Sequence, residues 1–159
     1  MQATMQITFR EFRPGDAAAF RRLNEQWIAK YFSFEEEDVK VLTHPEEHIL
    51  QPGGRIYFAA FDGEIAGCCA LIVNGERSYE LAKMAVREDL RNQGIGKALL
   101  AHVIDAARKL GAHKLTLGTN HQLANAIHLY ESVGFEQLDP ATLEPSPYKR
   151  ADVFMEMLL

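Results

Sequence analysis

The pattern of apolar and polar residues predicts that the chain opens with one strand and two helices. Residues 5–12, MQITFREF, alternate apolar and polar side chains, as a strand with one buried face does. Asp16 is the expected N-cap of the first helix. That helix has its large apolar residues at helical spacing: Phe20, Leu23, Trp27 and Tyr31. A short second helix is expected near Ser33, because Ser33 and Glu36 have the spacing of a capping box.

From residue 55 onward the apolar period changes to that of strands. Three apolar runs occupy residues 55–61, 64–73 and 78–86. The pairs Asp62-Gly63 and Asn74-Gly75 separate these runs and are typical of tight hairpin turns. The three strands are therefore expected to form an antiparallel meander.

The rest of the chain alternates helices and strands. We expect a helix at about 94–110, a strand at 113–119, a helix at about 122–132 closed by Gly134, a strand near Phe135 and a last strand at 151–158. An antiparallel meander followed by strand-helix-strand units predicts a mixed α/β sheet with helices packed on it. The 159 residues contain no repeat or linker and are interpreted as a single domain, residues 1–159.

Composition and charge narrow the classes of partner. The formal net charge is −5, and no block of basic residues is present, which argues against nucleic acid or an anionic membrane as the main partner. No apolar stretch has the length of a membrane span, and the N-terminus lacks the pattern of a signal peptide, so a cytoplasmic location is expected. Cys68 and Cys69 are neighbours in an apolar run and are interpreted as buried thiols on opposite strand faces.

The stretch DLRNQGIGKALL, residues 89–100, places two glycines at the start of a helix. The first N–H groups of a helix have no internal partners and form a natural anion site. Gly94 and Gly96 would let a ligand approach the backbone, with Arg91 and Lys97 beside it. The alternative is a sharp turn with solvated cations. The residues at these positions do not match the consensus of the Walker A loop or that of the dinucleotide-binding fingerprint.

Arg91-x-x-Gly94-x-Gly96, between a strand and a helix, resembles the acetyl-CoA loop of the GCN5-related N-acetyltransferase (GNAT) family, whose motif is Gln/Arg-x-x-Gly-x-Gly/Ala. Residues 120–136, NHQLANAIHLYESVGFE, are similar to the family's second signature, and residues 148–158 are similar to its closing strand. The resemblance covers residues 79–159 closely and residues 1–78 only in pattern.

The resemblance implies a GNAT fold: a mostly antiparallel mixed sheet of about seven strands, about four helices, and a splayed parallel strand pair at the acetyl-CoA site. It implies that the pantetheine arm pairs with an exposed strand edge and that backbone N–H groups hold the pyrophosphate. The implied cofactor-binding residues are Met84, Ala85, Val86, Arg91, Asn92, Gln93, Gly94, Ile95, Gly96, Lys97, Asn125 and Tyr130.

Two residues are implied to carry the chemistry. Glu80 stands eleven positions before Arg91 and matches a catalytic glutamate of some family members. Alternation places Glu80 on one strand face with Ala82 and Met84, from which it would act as the general base, directly or through a water. Tyr130 matches the general acid that protonates the leaving thiolate, and an N–H of the Met84 strand would stabilise the oxyanion. The alternatives are a Glu80 that is solvated or pairs with a nearby cation, and a Tyr130 that only packs in the core.

The predicted function is acetyl-CoA-dependent transfer of an acetyl group directly to a primary amine of a small molecule or peptide. The alternatives are a non-catalytic CoA-binding sensor and an enzyme that uses a longer acyl-CoA. The expected acceptor-site residues are Trp27, Tyr31, Phe32, Tyr148 and Arg150. Arg150 has the donors to hold a carboxylate of the acceptor.

Two further expectations concern metals and assembly. HPEEH, residues 44–48, spells an inverted zinc-protease motif, but Pro45 and the short segment do not suit the long helix that this motif needs, so no metal site is expected. The apolar C-terminus, FMEMLL at residues 154–159, suits a homodimer sheet edge as well as the core.

Overall fold

The computed structural model describes residues 6–159, so that Met5 of the predicted first strand lies outside it. Within these residues seven strands form one sheet, and four α-helices pack against it. The strands are β1 (Ile7–Glu11), β2 (Arg55–Phe61), β3 (Glu64–Gly75), β4 (Ser78–Val86), β5 (Lys114–Thr119), β6 (Glu136–Leu138) and β7 (Val153–Leu158). The helices are α1 (Ala17–Tyr31), α2 (Glu36–Thr43), α3 (Ile95–Lys109) and α4 (Ala124–Val133). The predicted mixed α/β architecture is confirmed.

The sheet has the order β1-β2-β3-β4-β5-β7-β6, and its one parallel pair is β4 with β5 among the described strands. These two strands pair only over Ser78–Glu80 and Lys114–Thr116. Beyond Glu80 their ends diverge, so the edge of β4 that faces β5 is left without a strand partner. This divergence confirms the predicted splayed parallel pair.

Apolar side chains pack on both faces of the sheet. One buried cluster joins α3 to the sheet and includes Leu99 and Cys69, and the other joins α1 and α2 to it and includes Phe20 and Cys68. The two neighbouring cysteines are free, fully buried and on opposite faces, as strand alternation predicts. Within residues 6–159 no helix combines the length and the apolar character needed to cross a bilayer.

A β-bulge interrupts the pairing of β3 with β4. Two residues of β4, Lys83 and Met84, lie opposite the single residue Cys69 of β3. Lys83 takes a left-handed backbone conformation, with φ of +53°, which is uncommon for a residue with a side chain. A bulge of this kind bends its strand, and here it precedes the free end of β4.

The bulge changes which β4 side chains share a face. Tyr79, Leu81 and Met84 pack on the cluster that contains α3. Glu80 lies between Tyr79 and Leu81 and therefore projects from the opposite face, toward α1 and α2. The prediction that Glu80 shares a face with Met84 is wrong, because the inserted residue inverts the alternation between them.

The caps of the first two helices also differ from prediction. The capping box of α2 consists of Glu35 and Asp38, with the Glu35 N–H donating to Asp38 at 2.9 Å, and not of Ser33 and Glu36. Asp16 does stand at the N-cap position of α1, but its side chain caps nothing. Its carboxylate is already taken by the guanidinium of Arg10, 2.6 Å away.

Candidate active site

A cavity of about 850 Å³ opens between the diverging ends of β4 and β5. Most of the predicted site residues line it: Trp27, Tyr31, Phe32, Glu80, Met84, Ala85, Val86, Arg91, Asn92, Gly94, Ile95, Gly96, Asn125, Tyr130, Tyr148 and Arg150. Gln93 and Lys97 are exposed and lie outside its wall. The fold therefore gathers side chains from α1, β4, the glycine loop, α4 and the segment before β7 around one space.

One wall of the cavity is backbone rather than side chain. Residues 81–86 of β4 pair with β3 on one edge and have no described strand on the other. A free strand edge offers alternating N–H and C=O groups, which suit a ligand that contains amide bonds.

The glycine loop forms the end of this wall. Gly94 is the N-cap of α3 with φ of +80°, and Asn92 has φ of +64°. A Cβ added at Gly96 would lie in ordinary van der Waals contact, 3.7 Å, with the Met84 Cε and the Val86 Cγ2 atoms, so Gly96 lies directly beside the free end of β4. The first N–H groups of α3 are free of helical partners and carry the positive end of the helix dipole. The loop therefore suits an anionic group such as a pyrophosphate.

Glu80 lies at the last rung of the β4–β5 ladder, opposite Thr116, where the two strands separate. Burial raises the pKa of its carboxyl above the usual value, and the positive charge of Lys83 offsets part of that increase. A carboxylate with a raised pKa binds a proton more readily at neutral pH, which suits a general base.

Tyr130 is buried on α4 and contacts Phe135 edge to face, with ring centroids 5.9 Å apart. Burial raises the pKa of its phenol well above the usual value. Complete transfer of its proton to a thiolate, whose thiol has a pKa of about 8.5, is therefore more costly than for a solvated tyrosine. The Tyr130 hydroxyl is therefore protonated at neutral pH and can act as a donor, and its predicted role as the general acid stays a prediction.

A buried ion cluster, formed by Asp38, Lys83 and Arg150, lies beside the cavity. The Lys83 Nζ atom is 2.6 Å from one Asp38 oxygen, and the Arg150 Nη1 atom is 2.6 Å from the other. The side chain of Asp38 is 0% exposed, that of Lys83 5% and that of Arg150 13%. Burial alone would raise the pKa of Asp38, but the hydrogen bonds from Arg150 and Lys83 outweigh it and lower that pKa to about 2.

Aromatic rings surround the two cations. The Lys83 Nζ atom lies 4.5 Å from the centre of the Tyr148 ring, and the Arg150 Cζ atom lies 4.8 Å from the same centre. Trp27 and Phe32 contact the guanidinium at 5.6 and 5.9 Å. Four of the five residues predicted to form the acceptor site, Trp27, Phe32, Tyr148 and Arg150, are therefore brought together, and the fifth, Tyr31, lies against Phe32 with ring centroids 6.5 Å apart.

The Arg150 guanidinium donates its hydrogen bonds to carboxylates of the protein itself. Both terminal nitrogens bond Asp38, and Nη1 also lies 3.4 Å from Glu35. A carboxylate of an acceptor would have to displace Asp38 to bind this guanidinium, so the predicted role of Arg150 stays a prediction with an internal competitor.

Sequence reasoning missed Asp38 and Lys83. Asp38 belongs to the run EEED at residues 35–38, which is typical of an exposed first helical turn. The available signal was Lys83, a charged residue in the otherwise apolar stretch LAKMAV at residues 81–86, because a charge there needs a partner. Residues 44–48, HPEEH, overlap a short π-helical turn, Glu46–Leu50, instead of lying on a long helix. Among residues 6–159, no group of three or more His, Cys, Asp or Glu side chains is arranged to hold a metal ion.

Comparison with known proteins matches this geometry to one family. The family model described as "Acetyltransferase (GNAT) family" matches residues 19–135. An uncharacterised N-acetyltransferase of Bacillus subtilis is 32% identical over 101 residues, which are 62% of this chain and 65% of that protein. The "[Ribosomal protein bS18]-alanine N-acetyltransferase" of Escherichia coli is 42% identical over 72 residues, 45% of this chain and 47% of that protein. The chain thus matches less than two thirds of the length of these relatives.

Solved structures share the whole fold. A GNAT-family acetyltransferase of Staphylococcus aureus superposes with a TM-score of 0.86 at 23% identity, over 96% of this chain and 99% of that one. The ribosomal-protein-S18-alanine N-acetyltransferase of Escherichia coli superposes with a TM-score of 0.73 at 25% identity, over 96% of this chain and 94% of that one.

Proposed function

The chain belongs to the GNAT acetyltransferase family, and from that premise we propose that it is an acetyl-CoA-dependent N-acetyltransferase. It transfers the acetyl group directly to a primary amine of a small molecule or peptide, within one domain of residues 1–159. The observation that carries this proposal is the single cavity in which the glycine loop, the free edge of β4, Glu80 and Tyr130 meet.

The residues present fit acetyl-CoA, which supplies an acetyl group activated as a thioester. Backbone N–H groups of residues 92–97 would hold its pyrophosphate, which explains why Gln93 and Lys97 need no side chain in the cavity wall. Residues 84–86 would pair with the amides of its pantetheine arm, and Asn125 would bond near the end of that arm.

Glu80 would remove the proton that the amine must lose. An amine with a pKa of about 10.4 costs about 4–5 kcal/mol to deprotonate at pH 7, and an α-amine with a pKa of about 8 costs about 1.4 kcal/mol. The raised pKa of Glu80 suits this task, and its position on the α1 and α2 side of β4 directs it toward the expected acceptor rather than toward Met84.

The remaining groups stabilise the charges that move. A backbone N–H near the bulge would bond the carbonyl oxygen as negative charge develops there. The amine nitrogen would bond to the acetyl carbon as the carbon–sulfur bond breaks, and the Tyr130 hydroxyl would donate a hydrogen bond to the departing thiolate, which takes up a proton to leave as the free thiol. The proton from the amine leaves through Glu80 and a water.

Direct transfer is supported by the state of the two thiols. Burial raises the pKa of Cys68 to about 12, and both cysteines are fully buried. A thiolate nucleophile is therefore disfavoured on either cysteine.

The acceptor named for the Escherichia coli relative is an alanine of a ribosomal protein, and for this chain a peptide N-terminus is one candidate among amines. An enzyme that uses a longer acyl-CoA stays an alternative, and a homodimer formed through the C-terminal strand stays a hypothesis.

Release of free thiol from acetyl-CoA, measured across amino acids, polyamines, aminoglycosides and short peptides, tests the proposal. We expect one class of amine to be acetylated, with turnover reduced in Glu80→Gln and Tyr130→Phe while acetyl-CoA still binds. Tight acetyl-CoA binding without turnover of any amine would favour the sensor function instead.

A further inference from the structure

The acceptor end of the cavity presents both signs of charge. Glu80 lines it on the α1 and α2 face of β4, and Lys83 lines it from the bulge that follows. We propose that the acceptor is a free amino acid, whose amine faces Glu80 and whose carboxylate binds Lys83. This inference rests on the proposed acetyltransferase function and assigns its substrate class.

Lys83 has a spare donor at this position. Its ammonium is almost fully buried, and within residues 6–159 it makes one hydrogen bond, to Asp38. An ammonium carries three N–H donors; one bonds Asp38 and the Tyr148 ring lies 4.5 Å from the nitrogen, which leaves a donor for a carboxylate that enters the cavity. A buried cation with an unused donor binds a carboxylate more strongly than an exposed one does, because water competes less.

The bulge directs Lys83 to this task. A regular strand would place residue 83 on the face opposite Glu80, whereas the inserted residue turns the Lys83 side chain toward α2, where it reaches Asp38. The left-handed backbone of Lys83 is a strained conformation of the kind that clusters at binding sites. Glu80 and Lys83 thus share one face, as the two charges of an amino acid require.

Arg150 is less suited to the same role. Its donors bond Asp38 and Glu35, and three aromatic rings surround it. Asp38 lies behind both cations and is fully buried, so a ligand in the cavity meets the cations and not this carboxylate. Arg150 therefore acts as a positioning residue that fixes Asp38 and, through it, Lys83.

The charge pattern also disfavours a polyamine. A second ammonium of such an acceptor would approach Lys83 and Arg150, and like charges at close range repel. The N-terminus of a peptide presents an amide oxygen where an amino acid presents a carboxylate, and it would lose the charge-assisted part of the bond to Lys83.

The test compares matched acceptors. Thiol release is measured with each standard L-amino acid, with its α-carboxamide, with spermidine and with a short alanine-terminated peptide. We expect the best amino acid to exceed its carboxamide in kcat/KM by about 10- to 100-fold, the range of a hydrogen bond to a charged group. In Lys83→Met this preference should fall below about threefold, mainly through KM for the acid. Lys109→Met, an exposed lysine on α3, should keep the full preference.

The outcomes separate the two levels of the proposal. Equal or faster turnover of the carboxamide, spermidine or the peptide in the unaltered protein would overturn the amino-acid assignment and keep the acetyltransferase. Equal loss for acid and carboxamide in Lys83→Met, with acetyl-CoA affinity unchanged by calorimetry, would show that Lys83 is structural and also overturn it. Absence of turnover with every amine tested, while acetyl-CoA binds, would overturn the amino-acid assignment and favour the sensor function over the acetyltransferase.

Discussion

The two ends of the cavity are built by different means. At the end where we propose that acetyl-CoA binds, the wall is formed by backbone N–H and C=O groups of β4 and of the loop around Gly94. At the acceptor end the binding groups are side chains from α2, β4 and the segment before β7, joined by Asp38. Backbone recognition depends on conformation and tolerates many side chains, whereas the ion cluster depends on the identity of each residue.

This difference explains what each end does. Every member of a family that shares one co-substrate can keep the same strand edge and glycine turn. On the proposed function, the acceptor end would have to distinguish one amine from another, and charged side chains with fixed partners can provide that distinction. Substitutions at the two ends should therefore have separable effects.

The largest expected effect comes from Asp38→Asn, which breaks the acceptor end alone. It would leave Lys83 and Arg150 buried beside a neutral amide, and we expect the free energy of unfolding to fall by about 3–5 kcal/mol in urea titrations. Glu36→Gln, an exposed carboxylate on the same helix, should change it by less than about 0.5 kcal/mol. An Asp38→Asn protein as stable as the unaltered one would contradict the cluster's role.

The same variant has a pH signature. The pKa of Asp38 is about 2 in the folded protein, below the value of about 3.9 of an unfolded chain. Its contribution to stability is therefore complete above about pH 4 and is lost as the pH falls toward 2. The stability of Asp38→Asn should lack this part of the acid dependence, measured by thermal unfolding between those pH values.

Glu80→Gln should separate chemistry from cofactor binding. We expect kcat to fall about 100-fold, within the usual range for loss of a general base, with acetyl-CoA affinity unchanged. Because burial raises the pKa of Glu80, the acid limb of kcat/KM should lie above the usual range of a carboxyl and should be absent from the variant. Glu136→Gln, exposed on β6, is the matched control, and equal rates in the two variants would argue against the base.

Tyr130→Phe removes one hydroxyl from the cavity and keeps the ring against Phe135. If this hydroxyl donates a hydrogen bond to the departing sulfur, kcat should fall about tenfold, the value of one such bond, with little change in stability. Tyr79→Phe, on the same core face and outside the cavity wall, is the control. An unchanged kcat in Tyr130→Phe would show that the hydroxyl has no part in catalysis and that Tyr130 only packs in the core.

The smallest effect tests the cofactor end through a matched pair of glycines. Gly94 and Gly15 have φ of +80° and +97°, and a Cβ added at either would have no described atom within 4 Å. Alanine at each should cost about 1–2 kcal/mol of unfolding free energy through the left-handed backbone. Only Gly94→Ala should also weaken acetyl-CoA binding in calorimetry, and equal affinities in both variants would exclude the loop from the site.

The sequence predicts the strand, turn and helix of the proposed cofactor end well, because their signals are local. A strand, two glycines and an apolar helix follow one another within residues 79–110, and periodicity alone places each element. The glycine spacing identifies the loop, and the structure gives Gly94 the left-handed backbone that glycine adopts without cost.

The acceptor end was less predictable, because its partners are far apart in the chain. Asp38, Lys83 and Arg150 meet only in the folded protein, and a single inserted residue at the bulge decides which way Lys83 points. The predicted turn at Asn74-Gly75 is also wrong. Strand β3 continues through Gly75, and the turn lies two residues later, where Arg77 has φ of +53°. The position of a bulge or a turn to within one residue depends on how neighbouring strands pair, and the apolar pattern of a single strand carries no information about that pairing.

Backbone amide hydrogen exchange with and without CoA tests the central claim most directly. We expect slower exchange in peptides that cover residues 84–97 when CoA binds, because their N–H groups would contact the ligand. Exchange in residues 139–150 should change little. Protection confined to residues 139–150, or none in residues 84–97 at saturating CoA, would contradict the division of the cavity into a backbone cofactor end and a side-chain acceptor end.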